Sequence, residues 1–148
     1  MILVDLAIGL MTMMMCLILQ VTFTFWSVRR VMGTPRRPRR SSGLIEGIVA
    51  LLVAMLIMML GNFLQIMLWG ALFLVLGEFP VFYEAVYHSG VNFTSLGYGD
   101  VVMSADRKLL GPLEALNGIL MLGLSSAALV AILQHLARTH AEGRDPDA

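Results

Sequence analysis

Apolar positions in this chain run on between widely spaced charges. Between Asp5 and Arg29 lie 23 uncharged residues, between Glu46 and Glu78 lie 31, and between Glu114 and Arg138 lie 23. About 20 residues at 1.5 Å rise cross a hydrocarbon core of roughly 30 Å, so each run predicts a spanning helix. The second is long enough to tilt or protrude. A fourth run, Ala85 to Gly99, has only 15 residues. It is too short to cross and predicts a segment that enters and leaves by one face, which is tolerated only where protein or a water-filled cavity surrounds it.

The first run is expected to be a retained helix. A signal peptide places its positive charge ahead of a shorter apolar core, whereas here Asp5 comes first and Arg29 and Arg30 follow. Composition agrees: 58% of residues are hydrophobic and 14% charged, against about 25% charged in an average soluble chain. Mean hydropathy is +0.83. A domain of this length has too little interior to hide that much apolar surface from water, so lipid is the solvent and the fold class is an all-α membrane protein. Cys16 is the one cysteine, which excludes a disulfide framework and a thiolate cluster.

Ten basic and ten acidic residues cancel, but not locally. Arg29, Arg30, Arg36, Arg37, Arg39 and Arg40 form a basic linker broken by Gly33, Pro35 and Pro38. By the positive-inside rule this linker is cytoplasmic. The amino terminus then faces out, the net acidic stretch from Glu78 to Glu114 lies outside, and the carboxyl terminus returns inside. The linker sets topology, and contact with anionic headgroups is compatible with it. No arginine lies within an uncharged span, which sets a voltage sensor aside.

The chemistry concentrates in the short run. Residues 81–94 predict a half-length helix, with Pro80 suited to a first helical position and Glu84 near the positive end of its dipole. A half-helix that starts outside aims its negative carboxyl end at the membrane midplane, where a cation is favoured. Thr94-Ser95-Leu96-Gly97-Tyr98-Gly99-Asp100 follows at once. Glycines on either side of one tyrosine free the backbone to point successive carbonyls the same way, and such carbonyls replace a cation's hydration shell.

Ser95 to Asp100 resembles the potassium-channel signature, usually Thr-Val-Gly-Tyr-Gly-Asp. Gly97, Tyr98, Gly99 and Asp100 agree, Ser95 keeps the hydroxyl of the usual threonine, and Leu96 stands for valine. With Leu110-Gly111-Pro112-Leu113-Glu114-Ala115-Leu116-Asn117-Gly118, the run is similar to small bacterial members of the two-helix pore ion-channel family, from about Glu46 to Leu136. The resemblance implies an ion-binding loop of Ser95, Leu96, Gly97, Tyr98 and Gly99, with K+ on the carbonyls of Ser95 to Tyr98 and on the Ser95 hydroxyl. It implies support from Thr94, Asp100 and His88, including a His88 to Asp100 hydrogen bond, with the Tyr98 ring turned away from the ions. Val91 stands where many relatives carry a glutamate. One chain supplies one loop, and four are needed around an ion, so a homotetramer is implied. K+ is the permeant ligand and no cofactor is implied. A non-conducting accessory subunit and a weakly selective cation channel remain alternatives.

The expected organisation is an N-terminal helix over 1–28, the linker over 29–43, a pore module over 44–138 and a tail over 139–148. Within the module we expect an outer helix 44–77, a pore helix 81–94, a filter 95–100 and an inner helix 111–138. Gly118 and Gly123 are hinge or packing positions on the inner helix, and Ser125 to Ala128 offer a small surface to a cavity or to a neighbour. Asn62 and Gln65, three apart in mid-span, should face protein, and Glu114 and Asn117 share a face near the outer end. Met11, Met13, Met14 and Met15 suit gap-filling between helices. His135 and His140 near the inner mouth are candidate pH reporters. The short polar tail is expected to hold no regulatory domain. Neither a hydrolytic triad nor a phosphate loop appears, and nothing marks a nucleic-acid site, so an enzyme is not expected.

Overall fold

A computed structural model describes residues 2–32 and 43–142. Arg36, Arg37, Arg39 and Arg40 lie outside the described residues. Four helices follow in order: α1 (Ile2–Met32), α2 (Gly43–Val75), α3 (Phe82–Phe93) and α4 (Leu110–Glu142). Three are long and apolar enough to cross a membrane, over Ile2–Val31, Ile45–Val75 and Leu110–Arg138. The fourth, α3, has 12 residues and so reaches about 18 Å, roughly half of a bilayer core.

Local chemistry sets the helix ends. At the close of α2, Gly77 takes φ +76°, and the Glu78 and Gly77 amides donate back to Phe73 and Leu74 at 3.0 Å each. This is a Schellman closure, for which glycine pays no steric penalty. Val81 in extended conformation caps α3, so Pro80 stands one residue ahead of the cap rather than at the first helical position. The last turn of α1 carries Arg29 and Arg30, placing both on the helix rather than in the linker, where they meet the negative end of its dipole. The Arg30 guanidinium lies 4.9 Å above the Trp26 ring.

The N-terminal helix is inside out. Its buried positions are Asp5, Gly9, Thr12, Cys16, Gln20 and Ser27, spaced three, four or seven apart, which places them on one helical face. Large apolar side chains occupy the other faces; Leu3, Met11 and Phe25 are 80%, 70% and 65% exposed. Of the four clustered methionines only Met13 packs against the core. Met11, Met14 and Met15 project outward, contrary to a gap-filling role within the subunit, because the groove takes only the small and polar stripe.

That stripe lies in the groove between α2 and α4 of the same chain. In mid-membrane the Gln65 amide donates to Gln20 Oε1 at 2.7 Å, Gln20 Nε2 donates to Ser125 at 2.7 Å, and Ser125 donates to the Met121 carbonyl at 2.9 Å. The ladder ties three spans together where lipid offers no partner. Ser125 and Ala128 therefore face helices, while Ser126 and Ala127 stay exposed. Above the ladder, Cys16 lies beside Asn117 and Trp69; below it, Ala54, Met58, Ile132 and Leu136 form an apolar cluster with Val28 and Val31.

Gln20→Leu strands the Gln65 amide in the membrane interior. We expect a loss of about 1 kcal/mol, read as a lower Tm of the purified protein in detergent, with no comparable loss for Met11→Leu on the outward face.

Candidate pore loop

The short helix α3 is wedged between α2 and α4, and two glycines set how closely. A Cβ on Gly70 would lie 2.9 Å from the Val86 Cα, and one on Gly118 only 1.9 Å from the Phe93 carbonyl oxygen. Both helices therefore meet α3 at its backbone. Between these contacts the Ser89 hydroxyl reaches the Ile66 carbonyl at 2.8 Å and also the Glu114 carboxyl. A hydroxyl has one hydrogen to donate. Two acceptor contacts are satisfied together when Glu114 itself carries a proton. Glu114, Asn117 and Ser89 are all fully buried.

The backbone leaves α3 through hydrogen bonds that orient the loop. Thr94 donates both its amide and its hydroxyl to the Gly90 carbonyl, at 3.1 and 2.7 Å. The Ser95 amide donates to Asn92 at 2.8 Å and the Leu96 amide to Val91 at 3.0 Å. Beyond them the backbone alternates. Ser95, Gly97 and Gly99 take φ of +59°, +61° and +74°, while Leu96 and Tyr98 between them do not cross to positive values. Alternation of left- and right-handed residues gathers amides on one side of the chain and carbonyls on the other. Serine adopts the left-handed region at a cost of about 1–2 kcal/mol, a strain that persists only when its surroundings impose it.

Within the described residues no hydrogen bond ends on a carbonyl of residues 95–99. Residues 94–100 are all exposed in the single chain, Leu96 at 57% and Tyr98 at 66%. Such a row is incompatible with lipid.

The far end of the loop is strapped down. Tyr87 donates its phenol to Asp100 Oδ2 at 2.6 Å, and the Val101 amide donates to Asp100 Oδ1 at 3.1 Å. The Tyr87 hydrogen bond holds the Asp100 carboxyl below the usual carboxylate range, and the same bond pushes the Tyr87 phenol up. Ser104 donates from its amide and hydroxyl to Glu78 at 2.8 and 2.9 Å, and Arg107 lies 3.5 Å from the same carboxylate.

His88 does not bond Asp100. Its Nδ1 meets the Val101 carbonyl at 2.8 Å and its Nε2 meets the Asn92 amide nitrogen at 2.8 Å. The ring packs near Phe73 and Phe79, centroids 5.7 and 5.0 Å away, and burial there lowers its pKa below the ordinary histidine value. The expected partner was misplaced by one residue. One step along a helix turns a side chain through about 100°, so Tyr87 emerges at the loop side and His88 faces inward. Tyr87, Ser89, Asn92 and Gly70 escaped sequence reasoning; Tyr87 alone carried a signal, an aromatic donor thirteen positions before Asp100. Gly118 seats Phe93, whereas a Cβ on Gly123 would meet nothing within 4 Å. Gln65 is buried in the ladder as expected of a mid-span amide, and Asn62 is half-buried. The side chain of His140 lies outside the described residues. Among those residues, no cluster of three or more His, Cys, Asp or Glu side chains could hold a metal.

Two long apolar helices flanking a half-length helix, followed by a loop whose φ alternates in sign, define a pore-type, multi-pass membrane protein. Residues 53–135, more than half of the chain, match the ion channel family, and the chain belongs to it, with α1 as an additional N-terminal helix. No curated protein and no solved structure matched the chain. Ion channels are not enzymes, and this family works without a cofactor.

Two outcomes follow from the seating of α3. Gly118→Ala overlaps a backbone oxygen that cannot swing aside, and should cost about 1–3 kcal/mol, seen as a Tm loss larger than that of Gly123→Ala. Tyr87→Phe removes the bond that favours ionised Asp100, so the Asp100 midpoint should rise toward the ordinary carboxylate value in carboxyl 13C NMR. In the native protein that bond's contribution is present above the ordinary value and disappears as pH falls through the lowered one.

Proposed function

We propose that this chain is one subunit of a homotetrameric potassium channel that passes dehydrated K+ down its electrochemical gradient. The observation that carries the reading is the alternation of left-handed residues at 95, 97 and 99 in a row whose carbonyls have no partner among the described residues. In this reading the carbonyls of Ser95, Leu96, Gly97 and Tyr98, with the Ser95 hydroxyl, take the place of the ion's water, and Gly99 completes the turn. Thr94, Asp100 and His88 hold the loop from behind.

The exposure of residues 94–100 supports assembly. Four copies about an axis bury this surface and close a ring of acceptors. The module spans 44–138, preceded by the helix and linker of 1–43 and followed by the tail of 139–148. The basic linker lies on the cytoplasmic side, the amino terminus outside and the carboxyl terminus inside, in the cell (inner) membrane of a bacterium. In this reading the charges of Arg29, Arg30, Arg36, Arg37, Arg39 and Arg40 attract anionic headgroups on that side.

Of the two hinge candidates, Gly123 fits better. Gly118 is pinned against Phe93, so the outer part of α4 moves with α3, while Gly123 is unobstructed within the chain.

Proteoliposome flux tests the reading. Purified tetramers should take up rubidium, be blocked by barium and largely exclude sodium. Equal sodium uptake would replace the reading with a weakly selective cation channel, and well-folded tetramers without uptake would replace it with an accessory subunit.

A further inference from the structure

Asn92 takes no part in the expected signature, yet its amide begins a hydrogen-bonded chain that runs through His88 on α3 to the far end of the loop. At one end the Val101 carbonyl can only accept, so the His88 Nδ1 that meets it at 2.8 Å carries the hydrogen. A neutral ring then presents Nε2 as an acceptor, and it takes a hydrogen from Asn92 Nδ2 at 2.8 Å. Burial near Phe73 and Phe79 favours that neutral ring. Beside this chain the Ser89 hydroxyl joins the Glu114 carboxyl of α4 to the Ile66 carbonyl of α2.

Each hydrogen in this chain has one direction that satisfies it, so the amide of Asn92 cannot turn over without breaking the link to His88. Glu114 and Ser89 are fully buried and His88 is 6% exposed in the single chain. The chain is therefore complete before any second copy arrives. It ends on the residue that follows Asp100, two positions past the row of carbonyls. On the loop side, His88 and Asn92 border a cavity of about 390 Å³ that Ser95 and Gly97 also line.

We propose that Asn92 is a positioning residue for ion selection, acting through His88 to fix the Val101 carbonyl and with it the outer end of the ion-binding row. The proposal rests on the potassium-channel reading above. It assigns to α3 a second grip on the loop's outer exit, separate from the Tyr87 to Asp100 bond.

The test compares rubidium and sodium uptake into proteoliposomes holding the full-length protein. Asn92→Leu removes the first donor and should lower the rubidium-to-sodium ratio by about tenfold or more, since a carbonyl set loosened by fractions of an ångström loses its fit to one ion. His88→Gln should keep most of the wild-type ratio, because its amide group donates to the Val101 carbonyl and accepts from Asn92; His88→Leu should fall with Asn92→Leu. An unchanged ratio in Asn92→Leu tetramers, or a loss in His88→Gln as large as in His88→Leu, overturns the proposal.

A second measurement stands apart from flux. In the 13C-labelled protein in lipid, the Val101 carbonyl resonance should move in Asn92→Leu and stay near its wild-type position in His88→Gln. If Asn92→Leu does not assemble, Asn92→Ala is read in its place. A Val101 resonance that ignores Asn92 refutes the chain whatever the flux shows. Wild-type vesicles that take up no rubidium refute the channel reading instead, and the resonance still decides whether the chain holds the loop.

Discussion

Hydrocarbon offers nothing to a hydrogen-bonding group, and that constraint organises this molecule. It turns α1 inside out, with Thr12, Gln20 and Ser27 buried on the face toward α2 and α4 and most of its large apolar side chains outward. It also explains why the Gln65, Gln20 and Ser125 side chains meet in one ladder rather than standing alone on three helices. Against this background the carbonyls of residues 95–99 stand out as a continuous backbone row that accepts no hydrogen bond among the described residues. Five successive backbone acceptors left open at one place call for something outside the chain to complete them. In the proposed reading, a cation on an axis shared with other copies does so.

Rigidity in the outer half follows from backbone contacts more than from side chains. Gly70 and Gly118 let α2 and α4 reach the backbone of α3 from two sides, and Ser89 joins the same two helices between them. The loop thus begins at a helix end that has little room to shift. Its exit is held by Asp100 and by Val101, each to a different residue of α3. Strain at Ser95 is tolerable because both ends are fixed.

Much of this was legible in the sequence, and the parts that were not share a cause. The lengths of uncharged runs separate three spanning helices from one that turns back, because hydrocarbon thickness converts directly into residue count. Gly97, Tyr98 and Gly99 announce the loop because few other sequences permit alternating backbone handedness. The partner of Asp100 was misassigned because a one-residue error on a helix rotates a side chain to another face, and His88 and Tyr87 are both aromatic donors. The place of α1 was hidden although its stripe of Asp5, Gly9, Thr12, Cys16, Gln20 and Ser27 is visible at helical spacing. A stripe identifies a buried face and not its partner. The role of Gly118 was equally hidden, since a glycine in a helix reads alike whether it bends or receives a neighbour.

The most direct test of the central claim is a density map of the intact assembly in lipid, recorded in potassium and again with thallium substituted. The account predicts four copies with residues 95–98 facing a common axis and a column of ion density, strengthened by thallium, level with their carbonyl oxygens. Loops turned away from any shared axis, or an axis without ion density in either salt, would contradict it.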